Sequence, residues 1–319
     1  MKKILVIGSL NMDMVAEVHH TPTAGETILT DTMRLIPGGK GANQACAAGK
    51  LGAKVTMLGA VGKDSYGRIL KDSLRESGVH TQFILERETS TGVAFITVNE
   101  EGNNCIVVVS GANASLMPED IQGHLELIKE SDIVILQMEI PVETVLFAAR
   151  KAKELGKTVI LDPAPVPKHF PKELFQYLDL IKPNETELKM LTGFGGKEEE
   201  LNLASGYLRS LGVRDIVVTL GERGVYVNSE KEGIFRILGL KVEAVDTTAA
   251  GDSFTAAMAL KMAQGENLSK AVRFANHVSA IVVTRKGAQS SIPSIEEVEK
   301  ILYVPPKMQK SDKESLQIS

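Results

Sequence analysis

The chain has 319 residues, 43% of them hydrophobic and 24% charged, and its formal net charge is −4 at pH 7. This length is typical of one large α/β unit or of a core domain with a small appendage. The charge balance argues against a duplex-DNA or membrane-surface partner, because no basic excess is available to neutralise phosphates.

Targeting and redox signals are sparse. The first apolar run ends at Gly8, which is too soon for a signal-peptide core. No apolar run approaches the roughly 18 residues of a membrane span. Cys46 and Cys105 lack metal-ligand spacing, so we expect both to be buried or half-buried in a reducing compartment. The sequence therefore predicts a cytoplasmic protein.

Six short, β-rich segments along the chain are nearly continuous in apolar character, which favours strands covered on both faces. They are KILVIG from Lys3, KVTMLGAVG from Lys54, SDIVILQME from Ser131, KTVILDP from Lys157, LDLIKPN from Leu178 and RDIVVTLG from Arg214. Amphipathic stretches that close on glycine lie between several of them, for example VETVLFAARKAKELG. This alternation predicts a mostly parallel sheet between two layers of helices.

Two regions, about 14–37 and 92–111, show strand-like alternation without an intervening helix, and EEGNN is a good hairpin tip. They predict a small antiparallel sheet that covers the main sheet as a lid. Pairing with the lid of a second copy would cover its open face and edges, so we expect a homodimer. We take residues 1–303 as a single domain and expect the polar, proline-led segment 304–319 to be a flexible tail.

The stretch VDTTAAGDSF lies between an apolar, strand-like run and a helix-like one. Ala249, Ala250 and Gly251 carry little bulk, so backbone N–H groups at the helix start can approach a ligand and form an anion hole. Such a site favours the charge on a transferring phosphoryl group. Asp252 could then accept a proton from an attacking hydroxyl, although an Asp in a first helical turn also serves as a cap.

The stretch PGGKGANQA is a glycine-rich turn that opens into a helix. It follows neither the Walker pattern nor the dinucleotide pattern G-x-G-x-x-G, which disfavours a dehydrogenase. Lys40 and Asn43 supply a cation and an amide suited to a hydroxylated substrate or a phosphate. A tight junction between lid and helix would explain the glycines equally well.

Together, GGKGANQA, VDTTAAGDSF, the early NMD and the PNETE run resemble the ribokinase-type (PfkB) carbohydrate kinase family, with DPAP and TRKGAQSSIP in support. The similarity extends from Lys3 to about Tyr303. It implies a three-layer α/β/α ribokinase-like fold with a mostly parallel central sheet and a small β-sheet lid. It also implies ATP-dependent phosphorylation of D-ribose at its 5-hydroxyl, with Asp252 as general base, Mg²⁺ accompanying ATP and K⁺ or a similar monovalent cation as activator.

The resemblance also implies site residues in three groups. The sugar would be bound by Asn11, Asp13, Gly38, Gly39, Lys40, Asn43, Glu139 and Asp252. The nucleotide would meet Asn184, Thr219, Gly221, Gly251 and Asn276. Metal ions would be held by Glu187, which positions Mg²⁺ through water, and by the K⁺ ligands Asp246, Thr248, Val282, Arg285, Gly287 and Ser291.

Several alternatives stay open at this stage. Glu139 could be a solvated surface acid, Asn184 and Glu187 a helix capping box, and Asn276 part of a plain helix face. The hinge reads Ala-Ala-Gly-Asp where the family usually has Gly-Ala-Gly-Asp. The function could instead be that of another kinase of this family, acting on deoxyribose, fructose or a nucleoside, or that of a non-catalytic sugar or nucleotide sensor.

Overall fold

The structure, a computed structural model, describes residues 2–194 and 198–302. The segment 304–319, expected to be a flexible tail, lies outside the described residues. The strands are β1 Lys3–Ile7, β2 Asn11–Glu17, β3 Met33–Gly38, β4 Lys54–Gly62, β5 Ile84–Arg87, β6 Gly92–Val98, β7 Asn104–Val109, β8 Ile133–Leu136, β9 Thr158–Leu161, β10 Leu180–Ile181, β11 Asp215–Thr219, β12 Val225–Ser229 and β13 Gly233–Ile237. The α-helices are α1 Lys40–Lys50, α2 Ser65–Glu76, α3 Pro118–Gly123, α4 Leu125–Glu130, α5 Val142–Glu154, α6 Glu185–Thr192, α7 Glu198–Ser210, α8 Ala250–Ala263, α9 Leu268–Val282 and α10 Ile295–Leu302.

The main sheet has nine strands in the order β13-β12-β11-β10-β9-β8-β1-β4-β5. Every pair from β11 to β5 is parallel, and only the pairings of β12 and β13 are antiparallel. Each of the six segments predicted from the sequence contains one strand of the parallel part. The mostly parallel sheet is therefore confirmed.

The core lies on both faces of this sheet. Ile4 and Val6 belong to one buried cluster with α1, α8 and α9, whereas Leu5 and Ile7 belong to another with α5 and α7. Successive residues of a strand point to opposite faces, so a strand that is apolar throughout requires a helical layer on each side. The three-layer α/β/α arrangement is confirmed.

The lid is a four-stranded sheet in the order β3-β2-β6-β7. The prediction of an antiparallel lid was wrong for the central pair, because β2 and β6 run parallel. Both strands leave the same edge of the main sheet, β2 after β1 and β6 after β5, so they point in the same direction. Cys105 lies exposed on β7, contrary to the expectation that both cysteines are buried, whereas Cys46 is buried.

The segment before the VDTTAAGDSF stretch also differs from expectation. No strand leads directly into Asp246, because β13 ends at Ile237 and the described chain runs from there to α8 as a loop. The sequence reading also missed β5 and the hairpin of β12 and β13 at the opposite edges of the main sheet. Within the described ranges, none of the helices combines the length and apolar character needed to cross a bilayer.

Candidate active site

Two helix N-termini from distant parts of the chain meet at the candidate site. Helix α1 begins at Lys40 and α8 at Ala250. Asn43 Nδ2 donates to Asp252 Oδ2 over 3.0 Å. The glycine-rich turn and the VDTTAAGDSF stretch, singled out separately in the sequence, therefore form one site.

The glycines before α1 allow close approach to the chain that follows β1. Gly39 has a φ of 88°, and a Cβ placed there would lie 2.7 Å from Asn11 N. A Cβ on Gly38 would meet the carboxylate of Asp13, and one on Gly41 would lie 2.6 Å from Ser9 N. Side chains at these positions would separate the α1 N-terminus from the start of the lid.

The side chain of Asn11 is held by a residue that the sequence reading missed. Asn113 Nδ2 donates to Asn11 Oδ1 over 2.7 Å, and Asn113 Oδ1 accepts from the Leu10 amide over 2.9 Å. Asn113 lies in a short 3₁₀ helix after β7 and is buried. A lone asparagine after a hydrophobic strand carries no sequence signal that would have identified it.

Acidic side chains from different elements converge next to Asn11. Burial raises the pKa of Asp13 to about 7, with further contributions from the carboxylates of Glu139 and Asp252 and an opposing one from Lys40. For Lys40, burial alone would lower the pKa, but the carboxylates of Asp252, Asp162 and Glu139 raise it overall. Lys40 is thus the charge partner of an acidic cluster.

Glu139 is half-buried and bonded, not a solvated surface acid. Its Oε2 accepts from Ser9 Oγ over 2.5 Å and from the Lys40 amide over 3.0 Å. The carboxylate lies at the N-terminus of α1, where the helix dipole favours negative charge. Ser9, whose Oγ also accepts from the Gly41 amide over 3.2 Å, is a second residue that sequence reasoning did not identify.

Asp252 points into the protein, with 6% of its surface exposed. Its Oδ1 accepts a second hydrogen bond, from Gln44 Nε2 over 3.1 Å. Burial raises the pKa of Asp252, and Lys40 opposes this shift while Asp162 adds to it. The carboxylate is therefore a stronger proton acceptor than an exposed aspartate, which suits a general base.

The hinge before Asp252 has an unusual backbone. Ala249 has a φ of 60°, the only positive φ among the described non-glycine residues. The Ala250 amide donates to Thr247 O over 3.2 Å and the Ser253 amide to Ala249 O over 2.8 Å. Within the described chain, the amides of Gly251 and Asp252 have no backbone acceptor, so both are available to an anion at this helix start.

Three of the residues expected to meet the nucleotide, Asn184, Thr219 and Gly221, lie around the C-terminal ends of β10 and β11. Asn184 and Glu187 form a reciprocal capping box on α6, with the Glu187 amide donating to Asn184 Oδ1 over 2.9 Å and the Asn184 amide to Glu187 Oε2 over 2.8 Å. Thr219 pairs with Asn184 in an isolated parallel bridge, and Gly221 follows with a φ of 59°. Burial raises the pKa of Glu187, and the carboxylate of Asp162 adds to the shift.

Asn276 does not lie free on a helix face. It is 9% exposed, and its Nδ2 donates to Leu238 O over 2.9 Å. The contact ties α9 to the loop that leads from β13 to the hinge.

The expected cation-binding segments come together in part. Gly287 N donates to Asp246 Oδ2 over 2.9 Å, and Thr248 Oγ1 donates to Asp246 Oδ1 over 2.6 Å. The Val282 carbonyl accepts from the Arg285 amide over 3.0 Å, and Ser291 Oγ donates to Ala288 O over 2.7 Å. The structure therefore joins the 246–248 loop to the 283–287 turn.

Comparisons with known proteins identify the family and the fold. Residues 1–295 match the model of the pfkB family of carbohydrate kinases. A ribokinase of Haemophilus influenzae is 39% identical over 93% of this chain and 97% of its own, and a deoxyribokinase of Salmonella typhi is 37% identical over 94% and 98%. The structure of Arabidopsis thaliana ribokinase complexed with ribose and ATP superposes with a TM-score of 0.90 at 34% identity, covering 95% of this chain and 99% of that one.

The chain belongs to the PfkB family of carbohydrate kinases. The resemblance read from the glycine-bearing motifs is thereby confirmed, as is the ribokinase-like fold.

Proposed function

We propose that this chain phosphorylates D-ribose at its 5-hydroxyl with ATP to give ribose 5-phosphate and ADP. The observation that carries the proposal is the hydrogen bond between Asn43 and Asp252, which joins a hydroxyl-binding helix start to a buried carboxylate at an anion hole. A non-catalytic sugar sensor has no need of such a carboxylate. The Haemophilus influenzae ribokinase, at 39% identity, supports ribose as the sugar.

The hydroxyl-binding residues would orient the sugar through their polar side chains. Asn43 Oδ1 is buried and has no hydrogen-bond partner among the described residues, so a substrate hydroxyl donating to it would satisfy it. The side chains of Asn11, Asp13, Lys40 and Glu139 would pair with the other hydroxyls. Gly38 and Gly39, which have no side chains, would complete the pocket with their backbone. A pocket of carboxylates and amides suits a small polyol better than a nucleobase.

The phosphoryl transfer needs one general base. As the 5-oxygen of the sugar forms its bond to the γ-phosphorus, the bond between that phosphorus and the bridging oxygen of ADP breaks, and Asp252 takes the hydroxyl proton. The amides of Gly251 and Asp252 at the start of α8 would stabilise charge on the phosphoryl oxygens, whereas the Ala250 amide, also expected in the anion hole, already donates to Thr247 O. Positioning and electrostatics supply most of the catalysis in this scheme.

ATP would enter as its Mg²⁺ complex. The nucleotide would lie along Asn184, Thr219, Gly221, Gly251 and Asn276. Glu187 fits a role through bound water, because both of its oxygens already accept hydrogen bonds from Asn184 and one protein carboxylate is not a complete metal site.

The proposal includes K⁺ or a similar monovalent cation as activator. The site would form around Asp246 and Thr248, with the carbonyls of Val282, Arg285 and Gly287 and the hydroxyl of Ser291. One carboxylate among mostly neutral oxygens suits a monovalent ion. The bond from Gly287 to Asp246 supports this assignment, since it already brings the two loops together.

A homodimer through the lid completes the proposal. Cross-strand pairing places Leu35, Met14, Phe95 and Val107 in one row across the lid. This row lies on the face opposite to Asp13, and Leu35, Phe95 and Val107 are 45%, 50% and 64% exposed. An apolar face of this kind, on a thin sheet, favours burial against a second copy.

Measurement of ADP release with a panel of sugars tests the function. We expect D-ribose to give the highest kcat/KM of the panel, and omission of K⁺ to lower turnover. The panel contains D-ribose, 2-deoxy-D-ribose, D-fructose and adenosine. Preference for any other acceptor would replace the proposed substrate, and absence of sugar-dependent ADP release would refute kinase activity.

Deoxyribose phosphorylation is the second candidate, because the Salmonella typhi deoxyribokinase is as similar to the chain as the ribokinases are. The two sugars differ by the 2-hydroxyl. A site that hydrogen-bonds this group would discriminate strongly against the sugar that lacks it, since its buried polar atoms would be left unpaired. The ratio of kcat/KM for ribose and 2-deoxyribose therefore decides between them.

A further inference from the structure

A buried polar cluster lies next to Asp252, the proposed base. None of its members belongs to the residues proposed to bind the sugar or the nucleotide. It consists of Gln44, Gln137, Asp162 and Lys182, none of them more than 4% exposed. Gln44 lies on α1, and the other three follow the parallel strands β8, β9 and β10. Lys182 Nζ and Asp162 Oδ2 form an ion pair of 2.8 Å.

Gln44 connects this ion pair to Asp252. Its Nε2 lies 3.1 Å from both Asp162 Oδ2 and Asp252 Oδ1, so its two N–H bonds are shared between the two carboxylates. Its Oε1 accepts from Gln137 Nε2 over 2.6 Å. Rotating this amide by half a turn would place its oxygen against two acids, so only one orientation satisfies the cluster.

The cluster also joins the anion hole. Lys182 Nζ lies 3.4 Å from Gly251 O, and Thr255 Oγ1 bridges Gly251 O at 3.0 Å to Asp162 Oδ2 at 3.4 Å. The first turn of α8 is therefore bonded on its inner side to the same ion pair. Displacing one member would disturb both the base and the amides beside it.

We propose that Gln44 is a positioning residue for Asp252, and that the Asp162–Lys182 ion pair holds Gln44 in the orientation that this requires. The inference rests on the proposed function, in which Asp252 is the general base. Gln44 does not touch the substrate in this scheme. With Asn43 on Oδ2 and Gln44 on Oδ1, the carboxylate cannot rotate, and its free lone pairs are directed at the hydroxyl to be deprotonated.

The charged groups that face Asp252 come from four elements. They are Lys40 on α1, Asp13 on β2, Asp162 after β9 and Lys182 after β10. Asp162 opposes ionisation of the base, whereas Lys40 and Lys182 favour it. Removing the charge of Asp162 should therefore make the base ionise at lower pH.

The first test replaces Gln44 by methionine, which keeps the volume and removes both donors. We expect kcat of Gln44→Met to fall about 10- to 100-fold, as for a misplaced catalytic group, with the KM for ATP unchanged. Thr144→Val is the matched control, because Thr144 is fully buried and donates one hydrogen bond of 2.7 Å, to Leu116 O, outside the site. It should lose stability and keep its kcat. Equal kcat values for the two variants would overturn the inference.

The second test separates charge from hydrogen bonding. Asp162→Asn keeps an acceptor for Gln44 but removes the negative charge, so the acid limb of the kcat profile should move to lower pH. The double variant Asp162→Asn with Lys182→Met removes both charges and should return the limb towards that of the unmodified chain. A limb that stays in place in Asp162→Asn would contradict the coupling, because loss of packing alone does not shift a titration in one direction.

A readout independent of turnover distinguishes this inference from the proposed function. If the unmodified chain released no ADP with any sugar, the function would fail. The ¹³C NMR titration of the Asp252 carboxyl, assigned with Asp252→Asn, would still decide the coupling. Asp162→Asn should lower the observed pKa and Gln44→Met should raise it, because the latter removes a hydrogen bond to the ionised form. Unchanged titration in both variants would overturn the inference.

Discussion

The site around Asp252 buries polar side chains, whereas the lid sheet exposes apolar ones. Around Asp252, polar side chains are buried and bonded to one another, as the Asn43 and Gln44 contacts illustrate. On the lid, apolar side chains such as Phe95 and Val107 are half exposed or more. The first region is ordered by its own packing, whereas the second presents a surface that another surface can stabilise.

The largest effect is expected when the carboxylate of Asp252, the proposed base, is removed. Asp252→Asn should lower kcat by about 10²- to 10⁴-fold, the usual contribution of a general base. Stability should change little, because removal of a charge that burial disfavours offsets the loss of one of the two hydrogen bonds that the carboxylate accepts. Rapid-quench or coupled assays give kcat, and calorimetry with ADP checks that the nucleotide site is intact. Near-normal turnover would show that the carboxylate is structural.

A pair of glycines compares the backbone of the two regions directly. Gly39 at the site and Gly25 in the lid have φ values of 88° and 86°, but only the first has neighbouring described atoms within 4 Å of an added Cβ. Gly39→Ala should cost about 2–5 kcal/mol, the sum of left-handed strain and overpacking. Gly25→Ala should cost only the strain, about 1–2 kcal/mol.

Urea unfolding of both variants measures these losses. Equal free energies of unfolding would show that close packing of the α1 N-terminus against residues 9–11 contributes nothing to stability. A large loss of unfolding free energy in Gly39→Ala alone would show that the backbone at the site is packed more tightly than that of the lid loop.

Asp13 connects the two regions, because it lies on the lid strand β2 while the carboxylates of Glu139 and Asp252 at the site help to raise its pKa. Its pKa of about 7 lies above the ordinary value. The folded chain therefore binds more protons than the unfolded chain between about pH 4 and pH 7, and this group's contribution to stability falls as pH rises through that window. Above pH 7 the carboxylate is ionised and can accept hydrogen bonds from sugar hydroxyls.

Calorimetric titration with sugar should accordingly show affinity falling as pH drops below 7, by up to about tenfold per pH unit. Asp13→Asn should bind weakly with little pH dependence, and its free energy of unfolding should fall less between pH 4 and pH 7. Identical pH profiles for the two proteins would exclude Asp13 as the titrating group.

The difference between the regions also explains what could be predicted from the sequence. Parallel strands were found because continuous apolar runs such as ILVI reflect burial on both faces, which is a local pattern. Lys40, Asn43 and Asp252 were singled out because they stand in glycine-bearing motifs, and Asn11 because it belongs to the NMD run that contributes to the family resemblance. The contacts of Gln44, Asn113 and Lys182 were missed, since a buried polar residue is explained only by partners that folding brings close to it. The parallel pairing of β2 and β6 was missed because it too depends on which distant segments folding brings together.

The smallest expected effect concerns the outer face of the lid. Val107→Asp places a charge in the middle of the apolar row and should weaken dimerisation at least tenfold, about 1.4 kcal/mol. Leu29→Asp is the matched control, because Leu29 is 93% exposed and lies in the loop between β2 and β3. Stability of the protomer should change by about 0.5 kcal/mol or less in both variants.

Sedimentation equilibrium over a range of concentrations measures the association. If the chain were monomeric throughout, or if Val107→Asp and Leu29→Asp associated equally, the apolar row would not be a self-association surface. A dimer lost only in Val107→Asp, with the Asp252 titration unchanged, would show that the lid gains its stability from a second copy while the base is held by its own protomer. The position of Asp252 and the assembly of the dimer would then depend on different parts of the protein. The hydrogen bonds that Asp252 accepts from Asn43 and Gln44 come from α1 and not from the lid strands.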